Sequence, residues 1–147
     1  MEGDNMFGTT TYVNRRDQLK ETVNSGILLF LGNSDSPMNY ADNPYHFRQD
    51  SSFLYYFGLD DPDLAAIIDL DSGEEIIFGD ELSIDYIVWM GFLPTIRERA
   101  EKVGISDTRP LAALQDVLGK ARQQGRTVHF LPPYRAANKL KLMDLLD

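Results

Sequence analysis

The sequence predicts a layered domain of the α/β or α+β class, on three observations. Short apolar runs bounded by turn residues, such as Ile27-Leu-Leu-Phe-Leu31, alternate with longer segments of helical periodicity. Two apolar runs, 64–70 and 75–78, are separated by Asp71-Ser-Gly-Glu74, a hairpin signal with Gly73 free to take positive φ. The chain has 147 residues and is 43% hydrophobic, the size and apolar content of one domain with its own core.

The elements follow in order. Residues 11–23 read as a first helix, because Tyr12, Arg16, Leu19 and Val23 fall on one face and Ser25-Gly26 stops it. Residues 27–31 are continuously apolar and short, which suits a buried strand. Residues 32–43, rich in Gly, Asn, Ser, Asp and Pro, read as a loop. A short helix is expected near Ser52, capped by Asp50 or Ser51 and ended by Gly58. The hairpin 64–78 comes next. Residues 84–89 fit a helical turn and a strand equally. A helix opens at Pro94 or Thr95 and runs to Lys102, closed by Gly104. Arg109-Pro110 is expected to start another, through Gln124 to Gly125. Residues 127–131 form a last strand. From Asn138 an amphipathic helix is expected, with Leu140, Met143 and Leu146 on one face. That face is expected either to fray or to pack on another copy.

Composition narrows the function classes. Net charge is −9, which speaks against a nucleic-acid partner, since phosphate backbones are bound by clustered Lys and Arg. There is no cysteine, so disulfides and thiolate chemistry are excluded. No run of about 18 apolar residues suggests a membrane span, and Met1-Glu-Gly-Asp-Asn5 lacks the basic and apolar regions of a signal peptide. The expectation is a cytoplasmic protein without a membrane partner. His46 and His129 are the two histidines, and neither stands at metal-ligand spacing, so no metal site and no catalytic residue are expected in this chain.

The most informative segment is 42–58. The aromatics Tyr45, Phe47, Phe53, Tyr55, Tyr56 and Phe57 surround Arg48-Gln-Asp-Ser-Ser52. Aromatic side chains carry apolar area that a fold buries, so the polar centre needs partners. Arg48 is expected to pin this segment, because a buried guanidinium requires a carboxylate or several carbonyls. His46 reads as a loop residue and His129 as a satisfied strand residue.

The string Tyr-x-Phe-Arg-Gln-Asp-Ser-x-Phe-x-Tyr-x-x-Gly from Tyr45 to Gly58 resembles the signature of the N-terminal domain of Xaa-Pro aminopeptidases, the aminopeptidase P branch of the creatinase/prolidase superfamily. Residues 64–70, Ile87-Val-Trp-Met-Gly91 and Ala100-Glu-Lys-Val-Gly-Ile105 continue the resemblance in order. The resemblance implies a creatinase N-terminal (ribonuclease H-like) fold, a mixed β-sheet flanked by helices. It implies a non-catalytic domain over residues 1–137, with 138–147 starting a helix that leads to a catalytic domain this chain lacks. In the whole enzyme that domain would hold two Mn ions and remove an N-terminal residue that precedes proline. The expected partners are that catalytic domain, further copies in a dimer or tetramer, and a proline-containing peptide. Trp89 and Asp42 would contact substrate across a subunit boundary, Trp89 as a flat apolar wall for the proline ring. Arg48, Gln49, Asp50 and Ser51 form the structural signature. Gly91 is followed by Phe92-Leu93-Pro94, where many relatives carry basic residues, so contacts beyond Trp89 would differ. Two alternatives remain open at this point. One is the N-terminal domain of a prolidase, a Xaa-Pro dipeptidase. The other is a non-enzymatic peptide- or histone-binding module of the same fold.

Overall fold

Helix α1, Thr9–Thr22, turns its inner row Tyr12, Arg16, Leu19 and Val23 onto the sheet, as the spacing predicts. Arg16 is fully buried and fully paired. Its Nε donates to Glu75 Oε2 at 3.0 Å, Nη1 to the Tyr56 carbonyl at 2.8 Å and Nη2 to the Val103 carbonyl at 2.6 Å. A charge out of water persists only with such pairing. The computed structural model describes residues 8–33, 48–81, 95–131 and 136–146. The ambiguous segment 84–89, His46 and the site candidates Asp42 and Trp89 lie outside them.

Strand β1, Ile27–Leu31, is followed by α2, Ser51–Phe57, and by the hairpin β2, Ala65–Asp69, and β3, Glu75–Phe78. Gly73 takes φ 84° in the hairpin turn. Then come α3, Ile96–Glu101, β4, Asp107–Arg109, α4, Ala113–Gln123, β5, Val128–Phe130, and α5, Ala136–Leu146. The five strands form one sheet in the order β4-β3-β2-β1-β5. β2 runs antiparallel to both its neighbours, while β1 pairs parallel with β5 and β3 parallel with β4. This is the mixed sheet flanked by helices that the resemblance implies.

The strands are apolar on both sides because both sides are covered. Leu28, Phe30, Ala66, Ile68 and Ile77 face α1, α2 and α3, meeting Tyr12, Phe53, Phe57, Ile96 and Ala100. Ile27, Leu29, Ala65, Ile67, Ile76 and Phe78 face α4 and α5, meeting Leu114, Leu118, Ala121 and Leu142. The alternation follows from the two-residue period of a strand.

One sequence expectation needs correction: α4 begins at Ala113 rather than at Arg109-Pro110. β4 is an element that local spacing does not announce, three residues held by their parallel register with β3, Ile76 opposite Asp107, with no apolar run of their own. α5 shows which of its apolar rows turns inward. Its row Asn138, Leu142 and Leu145 faces the chain's own second core, while Leu140 and Met143 are 63% and 60% exposed. Apolar residues lie around much of its circumference, so spacing alone permits two inward faces.

At the far end of the hairpin, Arg126 Nη2 donates to Asp69 at 2.6 Å and to Asp71 at 2.7 Å. Burial works to raise the Asp69 pKa. The hydrogen bonds from Arg126 and from the Ser72 and Asp71 amides outweigh it and hold the carboxyl below the ordinary 3.8.

Candidate functional site

The strand directions place four carboxyl ends at one edge of the sheet. β1 and β3 both oppose β2, and β5 and β4 run parallel to them. The helices after β1 and β3 pack on one face, and those after β4 and β5 on the other. Each parallel pair therefore splits at its carboxyl end, where open α/β sheets form a crevice.

The β1/β5 end is closed by a network of amides. Gly32 leads out of β1, and its N–H donates to the Leu64 carbonyl at 2.8 Å. Gln49 Oε1 accepts from the Asn33 amide at 2.9 Å and from the Asp50 amide at 3.1 Å. Gln49 Nε2 donates to the Leu59 and Asp61 carbonyls, both at 2.9 Å. A Cβ on Gly32 would stand 2.8 Å from the Leu64 carbonyl oxygen and 3.1 Å from Gln49 Oε1, so glycine admits this side chain. Asn33, buried, donates from Nδ2 to the Arg48 carbonyl at 3.0 Å and accepts at Oδ1 from Asn138 Nδ2 at 3.0 Å. Residues 34–47, which include Asp42, are thus closed at their base by Asn33 bonded to Arg48 and Gln49. Asn138 joins α5 to the same knot.

The signature residues divide by role. Asp50 caps α2, its Oδ2 accepting from the Phe53 amide at 3.0 Å, and Gly58 ends the helix at φ 65°. Ser51 is the exposed first residue of α2. Arg48 is not the buried guanidinium that the sequence reading expects. Its side chain is exposed and makes no hydrogen bond among the described residues; its carbonyl is the part that is held. Gln49 is the pin, since one amide group can accept twice and donate twice at a short reach. Asp61 carries the connection onward, pairing with Arg99 of α3.

The β3/β4 end is closed by carboxylates. Asp80 Oδ1 accepts from the Leu111 amide at 3.0 Å. Glu81 accepts from the amides of Ile96 at 2.8 Å and Arg97 at 3.3 Å, satisfying free donors at the start of α3. Thr95 and Glu98 complete that terminus as a reciprocal capping box, in which hydrogen bonds from the Thr95 amide and side chain hold the Glu98 carboxyl below its ordinary 4.5. A shallow cleft of about 310 Å³ opens between Gly79, Asp80, Glu81, Thr108, Arg109 and Pro110. Arg109 is occupied by Asp107, at 3.1 Å through Nε and 2.9 Å through Nη2. Residues 82–94, which include Trp89, run between Glu81 and Thr95.

Sequence reasoning found Gln49, Asp50 and Gly58 but missed Asn33, Asn138, Asp80 and Glu81. Their partners lie 15 to 105 residues away, so no local spacing betrays them. His129 is half-buried in β5, with Nε2 at 3.0 Å from the Ser25 carbonyl oxygen. Among the described residues no group of three or more His, Asp or Glu converges as a metal ion requires. The two metals that the resemblance implies therefore find no ligand set in this part of the chain. Among the described residues no helix is long and apolar enough to cross a membrane.

Comparison with known proteins fits this architecture. The family described as "Aminopeptidase P, N-terminal domain" matches residues 12–129. A probable Xaa-Pro aminopeptidase of Fusarium vanettenii is 30% identical over 113 residues, 74% of this chain and 24% of the relative. A Xaa-Pro dipeptidase of Pongo abelii is 29% identical over 97 residues, 65% of this chain and 20% of the relative. In structure, aminopeptidase PepP of Pseudomonas aeruginosa superimposes with a TM-score of 0.79 at 22% identity, over 95% of this chain and 32% of that one. Aminopeptidase P from Escherichia coli, in its low-pH form, gives 0.75 at 19% identity over the same shares. The chain thus spans between a fifth and a third of the proteins it resembles. Its sequence match and its sheet lead to one conclusion: this chain belongs to the family of aminopeptidase P N-terminal domains.

Proposed function

We propose that this domain serves a metal-dependent Xaa-Pro aminopeptidase by narrowing access to the active site of a neighbouring subunit, so that short or unfolded peptides lose the residue that precedes proline. Trp89 is the apolar wall for the proline ring, and Asp42 the carboxylate that holds a charged substrate group or orients an active-site side chain. The chemistry itself, water activation by two Mn ions, would be supplied by the catalytic part of the longer enzyme. The enzyme would be a cytoplasmic dimer or tetramer.

One observation carries this reading. The segments that contain Asp42 and Trp89 leave the sheet at the carboxyl ends of β1 and β3, at the same edge. Only β2 lies between those strands, so the two departure points stand about 10 Å apart. Each segment is anchored at both ends by bonds of described residues, Asn33 to Gln49 for one and Glu81 to Ile96 for the other. Anchored bases under two such segments are what a substrate-restricting element needs.

The test uses a full-length enzyme carrying this domain, with the isolated chain as the inactive blank. Trp89→Ala should lower kcat/KM for peptides longer than two residues by about tenfold, and for Xaa-Pro dipeptides by about twofold or less. Equal losses on both substrate lengths would remove the wall. The second reading, a Xaa-Pro dipeptidase, is supported by relatives of both activities at nearly equal identity, 30% and 29%. Turnover confined to dipeptides in the wild type would select it.

A further inference from the structure

The amide network at the β1/β5 end has a direction, and backbone groups force it. The Arg48 carbonyl only accepts, so Asn33 turns Nδ2 towards it, at 3.0 Å. Asn33 Oδ1 then needs a donor, and Asn138 Nδ2 meets it at 3.0 Å. Exchanging oxygen and nitrogen in either side chain would set acceptor against acceptor. Asn138 Oδ1 therefore points away from Asn33, out of the network. That oxygen is buried, and among the described residues no hydrogen-bond donor reaches it. Asn138 as a whole is 6% exposed. Burying a carboxamide oxygen unpaired is unfavourable, so such an atom in a folded chain points to a bound water or ligand.

The surroundings say which. Asn33 lies just beyond β1, and α5 follows β5, the parallel neighbour of β1. Asn138 is in the first turn of α5, a helix of 11 residues. The first N–H groups of a helix have no partner within it, so donors share this turn with the orphan oxygen. An anion would suit the N–H groups, but the Asn138 oxygen would repel it. A cation would suit the oxygen but not the N–H groups, and no cluster of His, Asp or Glu suited to a metal ion occurs among the described residues. A neutral molecule that both donates and accepts satisfies both, and so buried a side chain admits only a small one.

We infer that one ordered water molecule is bound at the start of α5, donating to Asn138 Oδ1 and accepting from a first-turn N–H of the helix. It completes a chain of hydrogen bonds that runs from the Arg48 carbonyl through Asn33 and Asn138 to the backbone of α5. The base on which residues 34–47 close and the start of α5 are then held by one continuous network. A water that bridges buried groups in this way is a fixed part of the fold, as Gln49 is on the other side of Asn33. The inference goes beyond the function proposed above and does not depend on it.

The experiment uses this chain, isotope-labelled. Nuclear Overhauser transfer is recorded from water to the Asn138 side-chain amide and to the first backbone amides of α5. Magnetic relaxation dispersion of the water oxygen counts long-lived water molecules without reading hydroxyl protons. Asn138→Leu, which removes the acceptor, is run beside the wild type. The expected result is transfer at Asn138 with the sign of a molecule that tumbles with the protein, and the loss of one long-lived water in Asn138→Leu. No transfer at these amides would overturn the inference. Transfer with an unchanged water count would come from a hydroxyl of the chain, and would equally overturn it. Where Asn138→Leu fails to fold, a high-resolution crystal structure of the wild type decides. One water within hydrogen-bond distance of Oδ1 supports the site, and a protein donor in that place, or no ordered density there, overturns it.

Discussion

The two carboxyl-end crevices of the sheet are built from opposite chemistry. At the β1/β5 end, Gln49, Asn33 and Asn138 are neutral, and Asn33 and Asn138 are buried. At the β3/β4 end, Asp80, Glu81 and Glu98 are carboxylates at the surface, each accepting backbone N–H groups, those of Glu81 and Glu98 at the start of α3 and that of Asp80 just ahead of α4. The amide network depends on burial and on hydrogen bonds between neutral groups, with Asn138 Oδ1 buried and without a partner among the described residues. The carboxylate network depends on ionisation and is screened by salt. The turn at Asp61 joins them, since its carbonyl meets Gln49 and its side chain meets Arg99 of α3. The lesson is that one fold can anchor two neighbouring points of the sheet edge with different sensitivities, one to packing and one to pH.

The strongest way to break the comparison is Gln49→Leu. It strips partners from the Asn33 and Asp50 amides and the Leu59 and Asp61 carbonyls at once. Some of these groups regain water, so the expected loss is roughly 2–4 kcal/mol. Urea denaturation with an unchanged slope measures it. A loss under about 0.5 kcal/mol would mean the knot is decorative.

Acid should separate the two ends. The Glu98 carboxyl is held below its ordinary 4.5 by the Thr95 amide and hydroxyl. A depressed folded pKa stabilises above the unfolded value and ceases to do so as pH falls through the folded one. Below pH 4.5 the start of α3 should therefore loosen before the amide knot does. Amide exchange, corrected for its intrinsic pH dependence, should show faster opening at Ile96–Glu98 than at Asn33 and Asp50. Simultaneous opening would show that the two ends form one cooperative unit.

The smallest effect belongs to Arg48→Ala. The exposed guanidinium makes no hydrogen bond among the described residues, and the substitution keeps the carbonyl that Asn33 holds. The change should stay within about 0.5 kcal/mol. A thermal melt displaced by as much as that of Gln49→Leu would restore Arg48 as the pin.

The sequence by itself determined what depends on neighbours in the chain. The inward row of α1 through Tyr12 and Arg16, the Asp50 cap, the stop at Gly58 and the hairpin around Gly73 were all legible, because caps, turns and periodicity act over a few residues. The signature string also identified the family. Tertiary structure decided what depends on distant partners. Which arginine is buried was settled by Glu75, Tyr56 and Val103 converging on Arg16, while Arg48 faces solvent. The inward face of α5 was settled by Asn33, 105 residues before Asn138. β4 exists because β3 offers it an edge. In each case the deciding energy is the satisfaction of a polar group by another far along the chain, and a pattern of local spacing carries no record of it.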